Sequence, residues 1–277
     1  MSDAAAASGR FAAFGHELAW EARGQGRPLF FFHGLAADRR MLIAACEPLF
    51  AESSGARRIY VDLPGHGESR GDPAHAGADE LVASLAALIR ELAGDAPPAL
   101  VGYSYGGYLA LGLIGLLDPR PAGLFLVCPT VEADFGKRTV PPRRVALREP
   151  SLPFSDDPRE KIAFEEVAVV QTRALLQRFS ELVHPANIAA DPELMAATRA
   201  RYALSRPYMQ SLAALSAPVG IVCGRDDHWV GFEDAIRLAR AFGDVRYSVL
   251  PDAGHLLPLE QPARFAQLFC DWISRLG

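Results

Sequence analysis

Short apolar runs bounded by turn residues alternate with longer stretches of helical periodicity, and this alternation restricts the possible folds more than any other feature of the chain. The runs are Pro28 to Phe32, Arg58 to Val61, Ala99 to Tyr103, Gly123 to Val127, Val219 to Cys223 and Val245 to Leu250. Several are apolar at nearly every position, as strands covered on both faces must be. Helical patterns near 40–51, 79–93, 105–117, 231–242 and 262–275 lie between and after them. In the last, Phe265, Leu268, Phe269, Trp272, Ile273 and Leu276 follow the i, i+3, i+4, i+7 rule of a helix with one buried face. The pattern predicts an α/β fold, with a mostly parallel central sheet and helices on both faces.

The alternation breaks between about Val131 and Ser216. There a stretch containing Pro141-Pro142-Arg143-Arg144 leads into mostly helical sequence, Asp156 to His184 and Pro192 to Leu215, with no convincing strand. Unstructured loops that long are rare, so residues 131–216 are expected to form an inserted helical cap. Residues 1–130 and 217–277 would then form the core domain.

Composition narrows the class of function. A chain of 277 residues buries enough surface to fold without a disulfide or metal staple. Its formal net charge of −5 comes with acidic and basic residues interspersed and no basic patch, so nucleic acid is not expected as a partner. Cys46, Cys128, Cys223 and Cys270 show neither a CxxC pair nor zinc-site spacing and are expected to be reduced structural thiols. The start, MSDAAAASGR, lacks a basic segment followed by an apolar core, so no secretory signal is expected. No apolar run reaches the roughly 18 residues needed to span a bilayer. The expectation is a cytoplasmic enzyme acting on a small molecule, without a membrane partner.

The chemistry is concentrated in Gly102-Tyr103-Ser104-Tyr105-Gly106-Gly107, which follows the strand pattern Ala99-Leu100-Val101 and precedes an apolar helix. This is a G-x-S-x-G nucleophile elbow in its strand–turn–helix setting. A tight turn projects the Ser104 hydroxyl, flanking glycines let neighbouring backbone pass closely, and the helix amino terminus favours developing negative charge. A serine hydroxyl needs a base to take its proton. His255, in Asp252-Ala253-Gly254-His255, follows the last strand and is the best candidate. His16 lies on an early strand, His75 is expected to be exposed, His184 falls in the cap, and His228 adjoins the acid candidates and would face away. Gly224-Arg225-Asp226-Asp227 supplies those acids, of which only one can point at a given imidazole. Acyl transfer also needs two backbone N–H groups aimed at the forming oxyanion. One is expected from Tyr105, the other from the loop after Phe31-Phe32-His33-Gly34-Leu35, at Leu35, with His33 shaping that loop.

Together these motifs resemble the α/β-hydrolase superfamily over nearly the whole chain outside the cap. Asp62-Leu63-Pro64-Gly65-His66-Gly67-Glu68-Ser69 is similar to the family's D-x-P-G-x-G-x-S turn, which shapes the surroundings of the site and implies no catalytic role for Asp62, His66 or Glu68. The resemblance favours Asp227 over Asp226 as the acid. It implies Ser104 as nucleophile, His255 as base, and the Leu35 and Tyr105 amides as oxyanion hole. Departures narrow the chemistry. Dehalogenases and epoxide hydrolases of this fold use an Asp nucleophile. Carbon–carbon bond hydrolases usually carry Trp where this chain has Leu256 and favour Asn where it has Gly102. The menaquinone-pathway lyases place Arg where it has Tyr108. What remains is a carboxylic-ester or thioester hydrolase working through an acyl-enzyme, with no metal or organic cofactor implied. The rivals are a lyase, a C–C hydrolase or a cofactor-free haloperoxidase on the same residues, and a non-catalytic binding protein. Tyr105 and Trp229 are the expected pocket walls in the core. Arg201, Tyr202, Arg206 and Tyr208 could meet a substrate carboxylate but are as readily solvated or packed.

Overall fold

The computed structural model describes residues 7–50, 55–206 and 208–276. The alanine-rich residues 1–6, the end of the first helical pattern at 51 and position 207 of the expected cap lie outside them. The chain opens with strands β1 (Ala7–Ala13), β2 (His16–Arg23) and β3 (Arg27–Phe32), then α1 (Arg39–Cys46), β4 (Ala56–Val61), the short β5 (Arg70–Gly71) and α2 (Ala78–Ala93). Next come β6 (Ala99–Tyr103), α3 (Tyr105–Leu113) and β7 (Gly123–Val127). The segment expected to be the insertion holds β8 (Leu147–Arg148), α4 (Pro158–Val167), β9 (Val170–Gln171), α5 (Arg173–Leu182), α6 (His184–Ala189), α7 (Pro192–Ala200) and α8 (Met209–Leu212). The chain finishes with β10 (Val219–Gly224), α9 (Glu233–Ala239), β11 (Val245–Leu250), α10 (Leu257–Glu260) and α11 (Pro262–Ile273).

The main sheet runs β1-β2-β4-β3-β6-β7-β10-β11, with β5 paired to β2. From β4 to β11 every neighbour is parallel, whereas β1 and β2 are antiparallel. Side chains of successive strand residues point to opposite faces. In β3, accordingly, Phe30 and Phe32 enter one core and Leu29 and Phe31 the other. The first core is closed by α2, α3 and α9, the second by α1 and α11. α11 starts with Pro262 at its first turn, where no N–H is needed, and buries Phe265, Phe269 and Trp272.

Two features depart from the sequence expectations. β1 was not anticipated: Phe11 is its one large apolar residue, and it alternates between exposed and half-buried positions as an edge strand. It pairs with β2 across a two-residue turn, Phe14-Gly15, in which both φ values are positive, as a hairpin with right-handed twist requires. Within the insertion, the stretch Asp156 to His184 is broken by β9, which forms a parallel ladder with β8. Val169 and Val170 give their amides to the Glu260 carboxylate instead of to a helical carbonyl, and Thr172 caps a new helix by accepting from Leu175 N. β-branched residues in sequence lower the cost of leaving the helix there.

β3 has β4 on one side and β6 on the other, so α1 and α3 pack on opposite faces of the sheet. A crevice opens between the carboxyl ends of β3 and β6, where an open α/β sheet binds its ligands.

Candidate active site

Ser104 sits at that crevice. It joins β6 to α3 with φ 54° and ψ −119°, a backbone conformation that costs energy for any residue but glycine. Its own backbone holds the turn: Ser104 N donates to Val127 O at 3.0 Å, and Ser104 O accepts from Thr130 N at 3.1 Å. A Cβ at Gly102 would lie 2.5 Å from Gly107 Cα, and one at Gly106 would lie 2.3 Å from Phe32 O. The elbow therefore closes only with glycine at both places.

β10 and β11 deliver the other two side chains. His255 Nε2 lies 2.9 Å from Ser104 Oγ, and His255 Nδ1 lies 2.8 Å from Asp227 Oδ2. The other carboxylate oxygen, Oδ1, accepts from Trp229 N at 2.9 Å and Val230 N at 3.1 Å. Asp227 is fully buried, which opposes ionisation, but His255 and the two amides outweigh burial and hold its pKa below the usual carboxylate range. Asp226 turns the other way and is gripped by Arg144 at 2.9 and 2.8 Å. The arrangement thus selects Asp227 from the adjacent pair. His228 also faces away, with Nε2 2.9 Å from Glu166 O. His16, His75 and His184 join none of these contacts.

The loop after β3 approaches Ser104 so closely that a Cβ at Gly34 would lie 2.8 Å from Ser104 Cβ. Two buried histidines fix it. His33 Nε2 accepts from Leu63 N at 2.9 Å while Nδ1 donates to Gly34 O at 2.7 Å; His66 Nε2 accepts from Ala36 N at 3.0 Å while Nδ1 donates to Pro64 O at 2.9 Å. Each ring nitrogen is committed, so both rings are neutral. Burial pushes His66 down to about 4 and His33 well below the ordinary histidine range. Asp62 accepts from Arg39 N at 2.8 Å and Glu68 N at 2.9 Å and ties the 62–69 turn to this loop. The amide of Leu35 makes no hydrogen bond to a described residue. Tyr105 is the first residue of α3, so its N–H has no helical carbonyl to meet. Both predicted donor amides belong to segments that flank the Ser104 hydroxyl.

Ser104 and His255 open into a cavity of about 260 Å³ shared between the core and the insertion. Trp229 lines it, its ring 6.4 Å from the His255 ring. Tyr105 does not: its ring is buried against Tyr202, 4.3 Å away, and Tyr103 lines the cavity in its place. Helix geometry is the cause, because the residue after the elbow points back into the core packed by α3. Of the four insertion residues considered, only Tyr202 reaches the cavity; Arg201 binds Ala74 O outside it, and Arg206 and Tyr208 line a separate groove.

Two residues had no signal in the sequence. Glu260 accepts from Gly254 N at 2.6 Å, next to His255, and from Val169 N at 2.7 Å in the insertion. Burial raises its carboxyl to about 7 against the pull of these amides. Arg138 lines the cavity from the start of the insertion. Among the described residues, one group of metal-ligating types lies close together: Cys128, Asp227 and His255, with ligand atoms within 4.8 Å. Burial raises the Cys128 thiol well above its ordinary range, and Sγ lies 3.6 Å from Gly254 O.

A family model described as the alpha/beta hydrolase family matches residues 29–268. Among solved structures, an alpha/beta superfamily hydrolase from Oenococcus oeni PSU-1 superposes with a TM-score of 0.85 at 26% identity, covering 94% of this chain and 96% of that one. A thermophilic esterase from Thermogutta terrifontis, in a malate-bound form, gives a TM-score of 0.69 at 27% identity and covers 99% of both chains. A 2-succinyl-6-hydroxy-2,4-cyclohexadiene-1-carboxylate synthase from Salmonella schwarzengrund is 26% identical over 85% of this chain and 89% of its own length. The chain also matches, at 37% identity over 41% of its length, a dihydrolipoyllysine-residue acetyltransferase component of Pseudomonas putida, but spans only 30% of that protein.

Proposed function

The chain belongs to the alpha/beta hydrolase family, and from that premise we propose that it is a serine hydrolase that cleaves a carboxylic ester or thioester of small to medium size through an acyl-enzyme. The observation that carries this reading is His255, held between Ser104 Oγ at 2.9 Å and Asp227 at 2.8 Å. Asp227, with Oδ1 already occupied by two backbone amides, receives the Nδ1–H of His255. That leaves Nε2 as the acceptor facing the serine. Ser104 passes its proton to Nε2 as Oγ attacks the carbonyl carbon. The Leu35 and Tyr105 amides receive the developing oxyanion, and His255 returns the proton to the departing alcohol or thiol. Water then enters, loses its proton to His255 and releases the acid. Residues 131–216 act as the cap that encloses the substrate, and Trp229 packs against it beside His255. A cavity of about 260 Å³ suits a short acyl or aryl group.

Hydrolysis of a 4-nitrophenyl ester series from acetate to decanoate by wild type and Ser104→Ala tests the reading. Ester turnover is expected in the wild type and a loss of several orders of magnitude in the variant. An enzyme inert to every ester but labelled by a fluorophosphonate at Ser104 would keep the nucleophile and point to a specialised substrate. The absence of both turnover and labelling would refute the reading.

One observation favours a second reading, a lyase on the same residues: the likeness to the Salmonella synthase over 85% of this chain. Against it, Tyr108 occupies the position at which the lyases were expected to show Arg, and its hydroxyl is used by Leu204 N at 2.9 Å. Elimination without uptake of water, outpacing ester turnover, would decide for the lyase.

A further inference from the structure

We infer that Arg138 forms an anion subsite in the Ser104 cavity, and that the preferred substrate is an ester or thioester carrying an ionised carboxylate elsewhere in the molecule. This deepens the hydrolase reading and rests on it for the bond cleaved, but not for the subsite itself.

The guanidinium of Arg138 is anchored but not neutralised. Its Nε donates to Glu132 O at 2.9 Å and its Nη1 to Trp229 O at 3.2 Å, so two backbone carbonyls fix its position between the insertion and the β10 loop. Its Cζ lies over the Phe135 ring, 3.8 Å from the centroid, and 5.4 Å from the centroid of the Tyr202 ring. The third nitrogen, Nη2, is buried and has no hydrogen-bond partner among the described residues. The Tyr202 hydroxyl beside it is engaged with Thr130 Oγ1 at 2.9 Å. No carboxylate of the described residues pairs with Arg138. Enclosed arginine donors are rarely left empty, because an unmet charged donor forfeits its water without compensation.

Arg138, Thr130, Phe135 and Tyr202 all line the cavity that contains Ser104 and His255. Arg199, which makes no ion pair with a described residue, also lines it, against a single lining carboxylate, Glu166. The charged wall is therefore predominantly cationic. The two N–H groups of Nη2 are the donors left for a carboxylate, and the neighbouring aromatic rings and backbone carbonyls hold the guanidinium in place.

Two substrate pairs differing only in a carboxylate test the inference: 4-nitrophenyl hydrogen glutarate against 4-nitrophenyl pentanoate, and 4-acetoxybenzoate against phenyl acetate. The wild type is expected to prefer the anionic member of at least one pair in kcat/KM. Arg138→Gln should reduce that preference by about 10- to 100-fold, the range of a charge-assisted hydrogen bond, with Arg138→Lys falling between. The ratio within a pair cancels any general loss of folding or activity. Ser104-dependent turnover with no anionic preference, or a preference that survives Arg138→Gln, overturns the subsite and leaves the hydrolase reading standing. If no ester is turned over, calorimetric titration of glutarate and 4-hydroxybenzoate into Ser104→Ala and Ser104→Ala/Arg138→Gln decides separately. Binding that disappears with Arg138 supports the subsite whether or not the hydrolase reading stands, and no binding to either protein, or equal binding to both, overturns it.

Discussion

Replacing Asp227 by asparagine changes one atom, and the surroundings dictate which way the new side chain must lie. Asp227 Oδ1 accepts two backbone N–H groups, from Trp229 and Val230, and Oδ2 faces the Nδ1 of His255. A carboxamide has one acceptor oxygen and one donor nitrogen. Turning the oxygen toward His255 would set the NH₂ against both amides and leave two buried donors unmet, at about 1–3 kcal/mol each. The oxygen therefore stays with the amides, and the NH₂ faces His255. The imidazole answers by moving its proton from Nδ1 to Nε2, which places a donor opposite Ser104 Oγ, where an acceptor is needed. A wrong tautomer in such a triad lowers kcat by about 10⁴. We expect Asp227→Asn to reduce kcat by about 10³- to 10⁴-fold, or about 4–5.5 kcal/mol at 1.36 kcal/mol per decade, with KM little changed. Asp226→Asn, which removes only the partly exposed pair with Arg144, should stay within about threefold of wild type. The assay is initial-rate hydrolysis of 4-nitrophenyl butyrate from pH 6 to 9, with thermal unfolding as a control. A loss of less than tenfold for Asp227→Asn, or an equal loss for Asp226→Asn, would refute the tautomer argument.

The remaining predictions concern the loop after β3. Gly34→Ala puts a methyl group 2.8 Å from Ser104 Cβ, so kcat/KM should fall at least about tenfold, at a stability cost of about 1–3 kcal/mol seen by urea unfolding; unchanged kcat/KM would mean that the loop yields freely. His66 is held neutral in the fold, at about 4, but regains an ordinary value of 6.5 on unfolding. Below that pH the unfolded chain binds a proton that the native one refuses. Stability is thus complete above pH 6.5 and falls by about 1.4 kcal/mol per unit as pH drops toward 4, about 3 kcal/mol in all from this residue. Urea unfolding at pH 7.5, 6 and 5 should show His66→Asn to be shallower by one proton, and an unaltered slope would contradict the neutral ring.

Local patterns made the core of the fold legible. The inner parallel strands β3, β6, β7 and β10 fall on runs of apolar residues, because a strand covered on both faces needs apolar side chains at odd and even positions alike. Ser104 was legible for a related reason: an elbow needs small neighbours at fixed offsets, so its demands are written within six residues. His255 and the acid pair were legible as residue types at strand ends. Choosing between Asp226 and Asp227 was not a local matter, since it depends on Arg144, which comes from the insertion far away in sequence. β1 escaped because an edge strand exposed to water carries little apolar signal.

The sequence by itself therefore determined the inner parallel strands and the helices between them, the place of the elbow serine, and the residue types that converge on it, since periodicity and turn chemistry act over a few residues. Tertiary structure alone decided what those elements do to one another. It sent the Tyr105 ring into the core and brought Tyr103 and Trp229 to the cavity. It broke the expected helical stretch of the insertion where Val169 meets Glu260, and it left Nη2 of Arg138 buried without a partner among the described residues, in a side chain that lines the cavity of Ser104. Burial, hydrogen-bond satisfaction and charge pairing are properties of surroundings assembled from distant segments, and a side chain acquires them only when the chain has closed around it.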